Sequence, residues 1–281
     1  MRTFTLLLVL LVGGWLAAGP AQAQEGKTLS FSESLDDDGT LIVETHKGSV
    51  IVTVWDRDEV EAEVRIVADG DDEELVESTD VIVHHSGRTV RFETEYDVDA
   101  WEDLRKRGIF GVFSEGFSSP FVHYEIRMPR TARLKIDDHK SKIRVTGLQA
   151  DLTIETHKGI VDVHDLDGAL RLETHKGIVD VHFRHLADDS SIDSYKGTVT
   201  LFLPEDEGFD LHADLSRKGD LRSDFRVKND RRGRRDRDGD GYWDADDDDD
   251  DGDQVYRAEV NGGGPRLRLD TYKGRFALRA R

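Results

Sequence analysis

A five-residue phrase that returns at a near-fixed interval constrains this chain more than any other feature. Glu155-Thr156-His157-Lys158-Gly159 recurs as Glu173-Thr174-His175-Lys176-Gly177, and Glu44-Thr45-His46-Lys47-Gly48 precedes both. Looser copies stand at Asp193-Ser194-Tyr195-Lys196-Gly197, Leu215-Ser216-Arg217-Lys218-Gly219 and Asp270-Thr271-Tyr272-Lys273-Gly274. Asp137-Asp138-His139-Lys140-Ser141 lies ahead of the central pair. A unit this short cannot bury its own apolar face and must stack on its neighbours, which is the logic of a solenoid.

Around each Lys-Gly corner the apolar residues alternate with period two, as half-buried strands require. Leu134/Ile136, Leu152/Ile154 and Leu170/Leu172 precede the corner; Ile143/Val145, Val161/Val163 and Val179/Val181 follow it. These sets recur 18 residues apart, and the spacing of the corner glycines grows to 20 and then 22 toward the C-terminus. Each unit therefore reads as strand, tight corner, strand, looser corner. The fold class expected is all-β: a single-chain β-solenoid or β-roll of stacked coils, with a less regular strand-rich N-terminal part. Glycine at the corner suggests a backbone with positive φ, Ser141 being the exception. The C-terminal strand, Arg275 to Ala280, is the expected open edge of the stack.

Stacking aligns Lys47, Lys140, Lys158, Lys176, Lys196, Lys218 and Lys273 at equivalent corner sites. Glu44, Glu155, Glu173, Asp193 and Asp270, three residues earlier, offset their repulsion. Such a row keeps corners soluble; read as a binding face, it would take acidic glycans. His139, His157 and His175 stack in the same way, and Asp162/His164 lie over Asp180/His182. Imidazole and carboxylate about 5 Å apart are transition-metal ligands in principle. The repeat itself already explains their recurrence, and Tyr195 and Tyr272 replace histidine without disturbing the motif.

The phrases Leu152 to Val163 and Leu134-Lys135-Ile136 through Ile143-Arg144-Val145-Thr146-Gly147-Leu148 resemble the "putative adhesin" domain of bacterial envelope proteins. The resemblance covers roughly residues 38–281 and is strongest over 130–203. It implies a β-solenoid exported to the cell envelope, in a family largely of unknown function, and it brings no catalytic residues with it.

The chain is expected to divide into a signal peptide (1–23), a strand-rich N-terminal cap or set of first coils (24–130), and a repetitive solenoid (131–281) interrupted by an Asp-rich insertion at 228–254. Arg2, the apolar run Leu6 to Val12 and the small residues Ala21-Gln22-Ala23 follow the pattern of a secretory signal. The chain has no cysteine, so disulfides do not stabilise it in an oxidising compartment. In the head, Val60, Ala62, Val64 and Ile66 alternate with polar residues. Trp101 to Pro120 carries Phe110, Phe113 and Phe117 among glycines and reads as a loop over the solenoid or an apolar partner patch.

The sharpest chemical signal is Asp236-Arg237-Asp238-Gly239-Asp240-Gly241-Tyr242-Trp243-Asp244-Ala245-Asp246-Asp247. Oxygens fall at loop positions 1, 3, 5, 9 and 12, and Gly241 stands at position 6 where a calcium loop turns sharply. Asp236, Asp238, Asp240 and Asp247, with the Tyr242 carbonyl and Asp244 through water, are the expected Ca²⁺ ligands. No amphipathic helices flank the segment, which makes it EF-hand-like at most, and the same acidic run also suits a solvated, self-repelling insertion.

A net charge of −20 disfavours nucleic acid and anionic membranes and suits cations or cationic polymers. No nucleophile motif, metalloprotease helix or phosphate loop is present. The expectation is an exported, non-enzymatic β-solenoid of periplasm, cell surface or medium, a binding, adhesion or scaffold module. Its partners would be envelope or extracellular glycan or protein, with no membrane insertion after signal cleavage. The alternative is a Ca²⁺-assisted, lyase-like enzyme on acidic polysaccharide, although basic residues that recur at every coil do not converge on one cleft.

Overall fold

The computed structural model describes residues 26–70, 73–96, 119–231 and 254–281. The chain enters through β1 (Gly26–Ser34) and continues into β2 (Thr40–Trp55), which passes through a corner as one strand. β3 (Glu59–Val67), the short helix α1 (Glu73–Glu77), β4 (Thr79–Ser86), β5 (Thr89–Tyr96) and β6 (Phe121–Pro129) complete the N-terminal part. β7 (Arg133–Thr146) again turns the corner unbroken. Beyond it the corner splits each coil in two. β8 (Leu152–Thr156) leads to β9 (Ile160–Asp167), and β10 (Leu170–Thr174) to β11 (Ile178–His185). β12 (Ser190–Ser194) leads to β13 (Thr198–Leu203), and β14 (Phe209–Leu215) to β15 (Asp220–Ser223). β16 (Lys228–Arg231) and β17 (Gln254–Val260) form an antiparallel pair, and β18 (Arg266–Thr271) with β19 (Arg275–Ala280) ends the chain.

Two ladders result. Strands before the corner stack as β4, β5, the first half of β2, the first half of β7, β8, β10, β12, β18, β14, β17, β16. Strands after it stack as β1, β3, β6, the second half of β2, the second half of β7, β9, β11, β13, β19, β15. Coil-to-coil pairing is parallel; antiparallel strands close both ends of the first ladder and the N-terminal end of the second, which finishes on the parallel strand β15. This is the expected all-β solenoid.

The 18-residue period does what its arithmetic requires. Leu134 pairs with Leu152 and Leu152 with Leu170, while Ile143 pairs with Val161 and Val161 with Val179. These side chains are almost wholly excluded from solvent and form one continuous core between the ladders. Each fully buried aliphatic side chain contributes about 1.5–3 kcal/mol relative to exposure. One irregularity interrupts the stack: Asp165 bulges from β9 with φ 55°, so Phe183 pairs with Leu166 and both stay buried.

Three sequence expectations are corrected. The coils do not stack in chain order: β18 and β19 insert between β12/β13 and β14/β15. Arg275 to Ala280 is therefore an interior strand bonded on both sides, and β15 is the edge. The copy at 215–219 is also offset by one residue, since Asp214, not Leu215, pairs with Asp270. Leu215 is wholly buried, whereas the first residue of every other copy is an outward acid.

The third correction concerns the corner glycines. Among them only Gly48 has a positive φ, 138°. At Gly159, Gly177, Gly197 and Gly274 the constraint is crowding. A Cβ there would lie 2.4–2.6 Å from the hydroxyl oxygen of Thr156, Thr174, Ser194 or Thr271. It would also lie 2.9–3.2 Å from the carbonyl oxygen of the adjacent corner residue. Gly147, in the looser corner, does adopt a left-handed φ of 80°.

Candidate binding face along the corner ladder

The tight corner is built from side-chain-to-backbone bonds. The Gly197 amide donates to Ser194 Oγ (2.9 Å), the Gly274 amide to Thr271 Oγ1 (2.7 Å) and the Ser141 amide to Asp138 Oδ2 (2.8 Å). Asp138 also accepts from Thr156 Oγ1 (2.9 Å), which ties two corners together. Backbone bonds continue the tie: the amides of Lys158, Lys176, Lys196 and Lys273 donate to the carbonyls of His139, His157, His175 and Tyr195. This stacking rigidly sets the outward residues into columns one strand spacing apart, about 4.8 Å.

The first column is acidic. Glu93, Glu44, Asp137, Glu155, Glu173, Asp193, Asp270 and Asp214 are successive register partners on the outer face of the first ladder. Three of them have cationic partners: Glu44 pairs with Arg91 (3.3 Å), Glu155 with Lys135 (2.9 Å) and Asp270 with Arg268 (2.7 Å). Adjacent carboxylates at this spacing repel by about 1 kcal/mol even in a water-like surrounding. Partial burial first, then the charge of Glu155, raises the carboxyl of Asp137 above the usual range. Burial and the charges of Asp270 and Glu173 do the same to Asp193.

The second column is aromatic. The rings of His46 and His139 stack at 4.5 Å and 2°, and those of His139 and His157 at 4.9 Å and 4°. His157 to His175 (75°) and His175 to Tyr195 (79°) meet edge to face, and Tyr195 and Tyr272 stack at 5.2 Å. Six rings thus run unbroken along the corner. Burial, followed by the charge of His139, lowers the pKa of His46. Desolvation between its neighbours, then the charges of His175 and His139, lowers that of His157.

The lysines form the third column, with one exception. Lys140, Lys158, Lys176, Lys196 and Lys218 are exposed, while Lys273 is half-buried with its Nζ 4.8 Å from the Tyr272 ring centre. Lys47 shares their register but is 8% exposed. It pairs with Asp69, lies 4.0 Å over the Phe121 ring and donates to the Ser119 carbonyl (3.3 Å). The head folds over this first corner and withdraws Lys47 from the outer face.

A groove of about 800 Å³ runs between the acidic and aromatic columns from Asp137 to Asp214. No lysine or arginine lines it among the described residues. Of the corner residues that the sequence offered as a binding face, His157 and His175 line this groove with the carboxylates, whereas the lysines stand outside it. Sequence reasoning also missed Asp214, which the one-residue offset concealed. The readable signal was a leucine where every other copy carries an acid, with an aspartate just before it.

On the second ladder His164, His182 and Phe202 stack at 4.8 and 4.1 Å. Asp162 there is held by Arg144 (3.1 Å) and His164 (2.8 Å). No group of three or more His, Asp or Glu side chains among the described residues could enclose a metal ion. The calcium-loop residues Asp236, Asp238, Asp240, Tyr242, Asp244 and Asp247 lie outside the described residues, as do the signal-like segment and Trp101 to Ser118. The described strands Lys228–Arg231 and Gln254–Val260 pair with each other on either side of the acidic segment.

A family model described as Toastrack DUF4097 matches residues 39–251. No curated protein matches the chain. Among solved structures, a "putative cell adhesion protein" from Clostridium sporogenes is similar at 11% identity and a TM-score of 0.43, over 91% of this chain and 100% of that one. A "putative adhesin" from Parabacteroides merdae is similar at 10% identity and a TM-score of 0.20, over 70% and 84%. A "putative lipid binding protein" from Parabacteroides distasonis is similar at 9% and 0.23, over 89% and 96%.

Proposed function

Because this chain belongs to the Toastrack DUF4097 family, we propose that it is an exported, non-enzymatic binding module of the cell envelope. On this reading it presents its corner ladder to an envelope or extracellular glycan or protein. The observation that carries the reading is repetition. Successive coils place the same row of acid, ring and lysine in register, and the lysines spread one per coil along the stack. Catalysis needs unlike groups brought to one point, and a lyase on acidic polymers needs its cations gathered there. A periodic surface suits an extended partner instead.

Export rests on Arg2, the run Leu6 to Val12 and Ala21-Gln22-Ala23. Among the described residues no helix is long and apolar enough to cross a membrane. Calcium rests on the oxygen spacing of Asp236, Asp238, Asp240, Tyr242, Asp244 and Asp247, which supplies the hard donors that Ca²⁺ takes.

Retention on isolated envelope, with the polymers assayed for cleavage, tests the function. Retention without new chain ends is the expected result; release of unsaturated uronate products would overturn it in favour of a lyase. Calorimetric Ca²⁺ titration, repeated on Asp238→Ala/Asp240→Ala, tests the loop. Saturable binding lost in the variant is expected, and no heat at millimolar Ca²⁺ would remove calcium from the proposal.

A further inference from the structure

We propose that the N-terminal end of the stack pairs with the same end of a second copy of this chain. A two-fold axis at Ser30, perpendicular to both ladders, would run β1 antiparallel to β1 of the second copy.

The first argument is an open edge. β1 and β4 are the outermost strands of the two ladders, and among the described strands each is bonded on one side only, to β3 and to β5. Unpaired edge amides and carbonyls invite another strand, and edges that stay single are short, charged or covered. The C-terminal end follows that rule: β15 is four residues long with Asp220 and Arg222 exposed, and β16 carries Lys228, Asp230 and Arg231. β1 runs for nine residues, and its exposed positions are Gly26, Thr28 and three serines. On its inner side Leu29 and Phe31 are only half-buried, although the Phe31 ring reaches that of Phe92 in the core at 5.7 Å. Ile82 in β4 is 36% exposed.

The second argument is self-complementarity. Turned about Ser30, the strand Gly26-Lys27-Thr28-Leu29-Ser30-Phe31-Ser32-Glu33-Ser34 sets Lys27 opposite Glu33 of the second copy, and Leu29 opposite its Phe31. Opposite residues of an antiparallel pair share a face, and ions of unlike sign or apolar side chains are favourable neighbours there. Both groups have bonding capacity left. The Lys27 ammonium uses two hydrogens, on the Thr79 carbonyl (3.2 Å) and Asp80 (3.4 Å), and Glu33 meets His85 through Oε2 (3.3 Å). A third hydrogen and a second carboxylate oxygen remain for each other.

The other ladder obeys the same axis. Lys27 with Thr79 and Glu33 with His85 are both 52 residues apart, so Ser30 stands over Ile82. Rotation then lays Ile82 against Ile82 of the second copy, Val81 against its Val83 and Asp80 against its His84. One operation continues both sheets and closes at two copies. It also turns the second corner ladder to the opposite side, so the dimer presents two such faces pointing apart.

Sedimentation equilibrium of the mature protein, from micromolar to submillimolar concentration, tests this. Salt of about 0.15 M screens the net charge of the copies beyond about 8 Å. A monomer–dimer equilibrium is expected. Lys27→Glu and Glu33→Lys each set like charges opposite one another twice across the axis, and each alone should weaken the dimer at least tenfold. Mixed one to one, the two variants make both opposite pairs attractive again, so the mixture should regain the dimer; mixing does not cure a folding defect. Ser30→Lys, at an exposed position, sets two like charges on the axis itself and should give a monomer of unchanged melting temperature, which keeps the test decisive if an inner variant unfolds. A monomer at every concentration, a dimer that all three variants leave intact, or a mixture of folded variants no tighter than its components overturns the proposal.

Discussion

The coils between Arg133 and Leu203 and those between Phe209 and Ala280 carry the same corner phrase, yet they assemble differently. The first group stacks in chain order at intervals of 18 or 20 residues, each coil on the one just made. In the second group the chain skips a rung and lays down β14 and β15. It then passes through the β16–β17 pair and returns to fill the gap with β18 and β19. Backbone hydrogen bonds of a parallel ladder are indifferent to which coil comes next, so side chains must choose. Asp270-Thr271-Tyr272-Lys273-Gly274 matches Asp193-Ser194-Tyr195-Lys196-Gly197 at every position but the conservative Ser-to-Thr exchange. Tyr272 accordingly lies on Tyr195 and Gly274 fits under the Gly197 carbonyl. The copy at 215–219, with Arg217 in place of the ring and its offset corner, is the poorer neighbour and takes the outside.

The largest test of that contrast removes residues 266–281. Leu267, Leu269, Phe276 and Leu278 lose burial worth on the order of 8 kcal/mol in total. Hydrogen exchange should show loss of protection over 209–223 and 254–260, while 133–203 stays protected. Protection retained at 220–223, whose strand is bonded to β19 alone among the described strands, would mean that β15 pairs directly with β13 instead, and that side-chain matching does not set the order.

Gly177→Ala probes the regular half. Its Cβ would meet Thr174 Oγ1 at 2.6 Å and the Gly159 carbonyl at 3.1 Å, a cost of about 3 kcal/mol by overpacking. Denaturant unfolding should show this. Gly262→Ala, in the turn before β18 where nothing lies within 4 Å but φ is +90°, should cost only about 1 kcal/mol. Equal costs would refute crowding as the reason for corner glycine.

Tyr272→Ala removes the ring that joins the two halves. A loss of about 1 kcal/mol beyond the area term is expected for a stacked pair, read as a lower unfolding midpoint. A similar loss from His212→Ala, away from the ring column, would show that the stack has no special part.

The smallest effect is the pH slope. The folded state lowers the pKa of His157, so the neutral ring is favoured: its contribution is intact above about pH 6.5 and fades as pH falls below that value. The groups facing the ring are His139, His175, Lys158 and Lys176. His157→Tyr, which copies the residue at 195 and 272, should flatten the decline of stability between pH 7 and 5. For Asp193 the sign reverses. Its raised pKa makes the carboxylate a liability that is full above the folded value and relieved as pH falls toward the unfolded one. Asp193→Asn should therefore stabilise at pH 7 and bring no gain near pH 3. An unchanged slope in both variants would disconnect the columns from stability.

Much of this was legible in the chain. Period-two alternation named the inward residues from Leu134 to Val181, and the 18-residue interval predicted their register, because both are local patterns that each coil repeats. The columns of His139, His157 and His175 followed from the same arithmetic. The burial of Lys47 was not legible, because Asp69 and Phe121 that cover it are distant in sequence. The groove was not legible either: the phrase displays acid, ring and lysine alike, and which of them lines a concavity depends on how the corner turns.

The sequence by itself determined the strand, the corner, the inward face and the need to stack, since each follows from the polarity and size of residues a few positions apart. Only the tertiary structure decided the order of the last two coils, the crowding that demands glycine, and the assignment of the concave face to carboxylates and rings. Those outcomes are competitions between segments far apart in the chain, settled by which side chains fit against each other once the backbone ladders have made every pairing nearly equivalent.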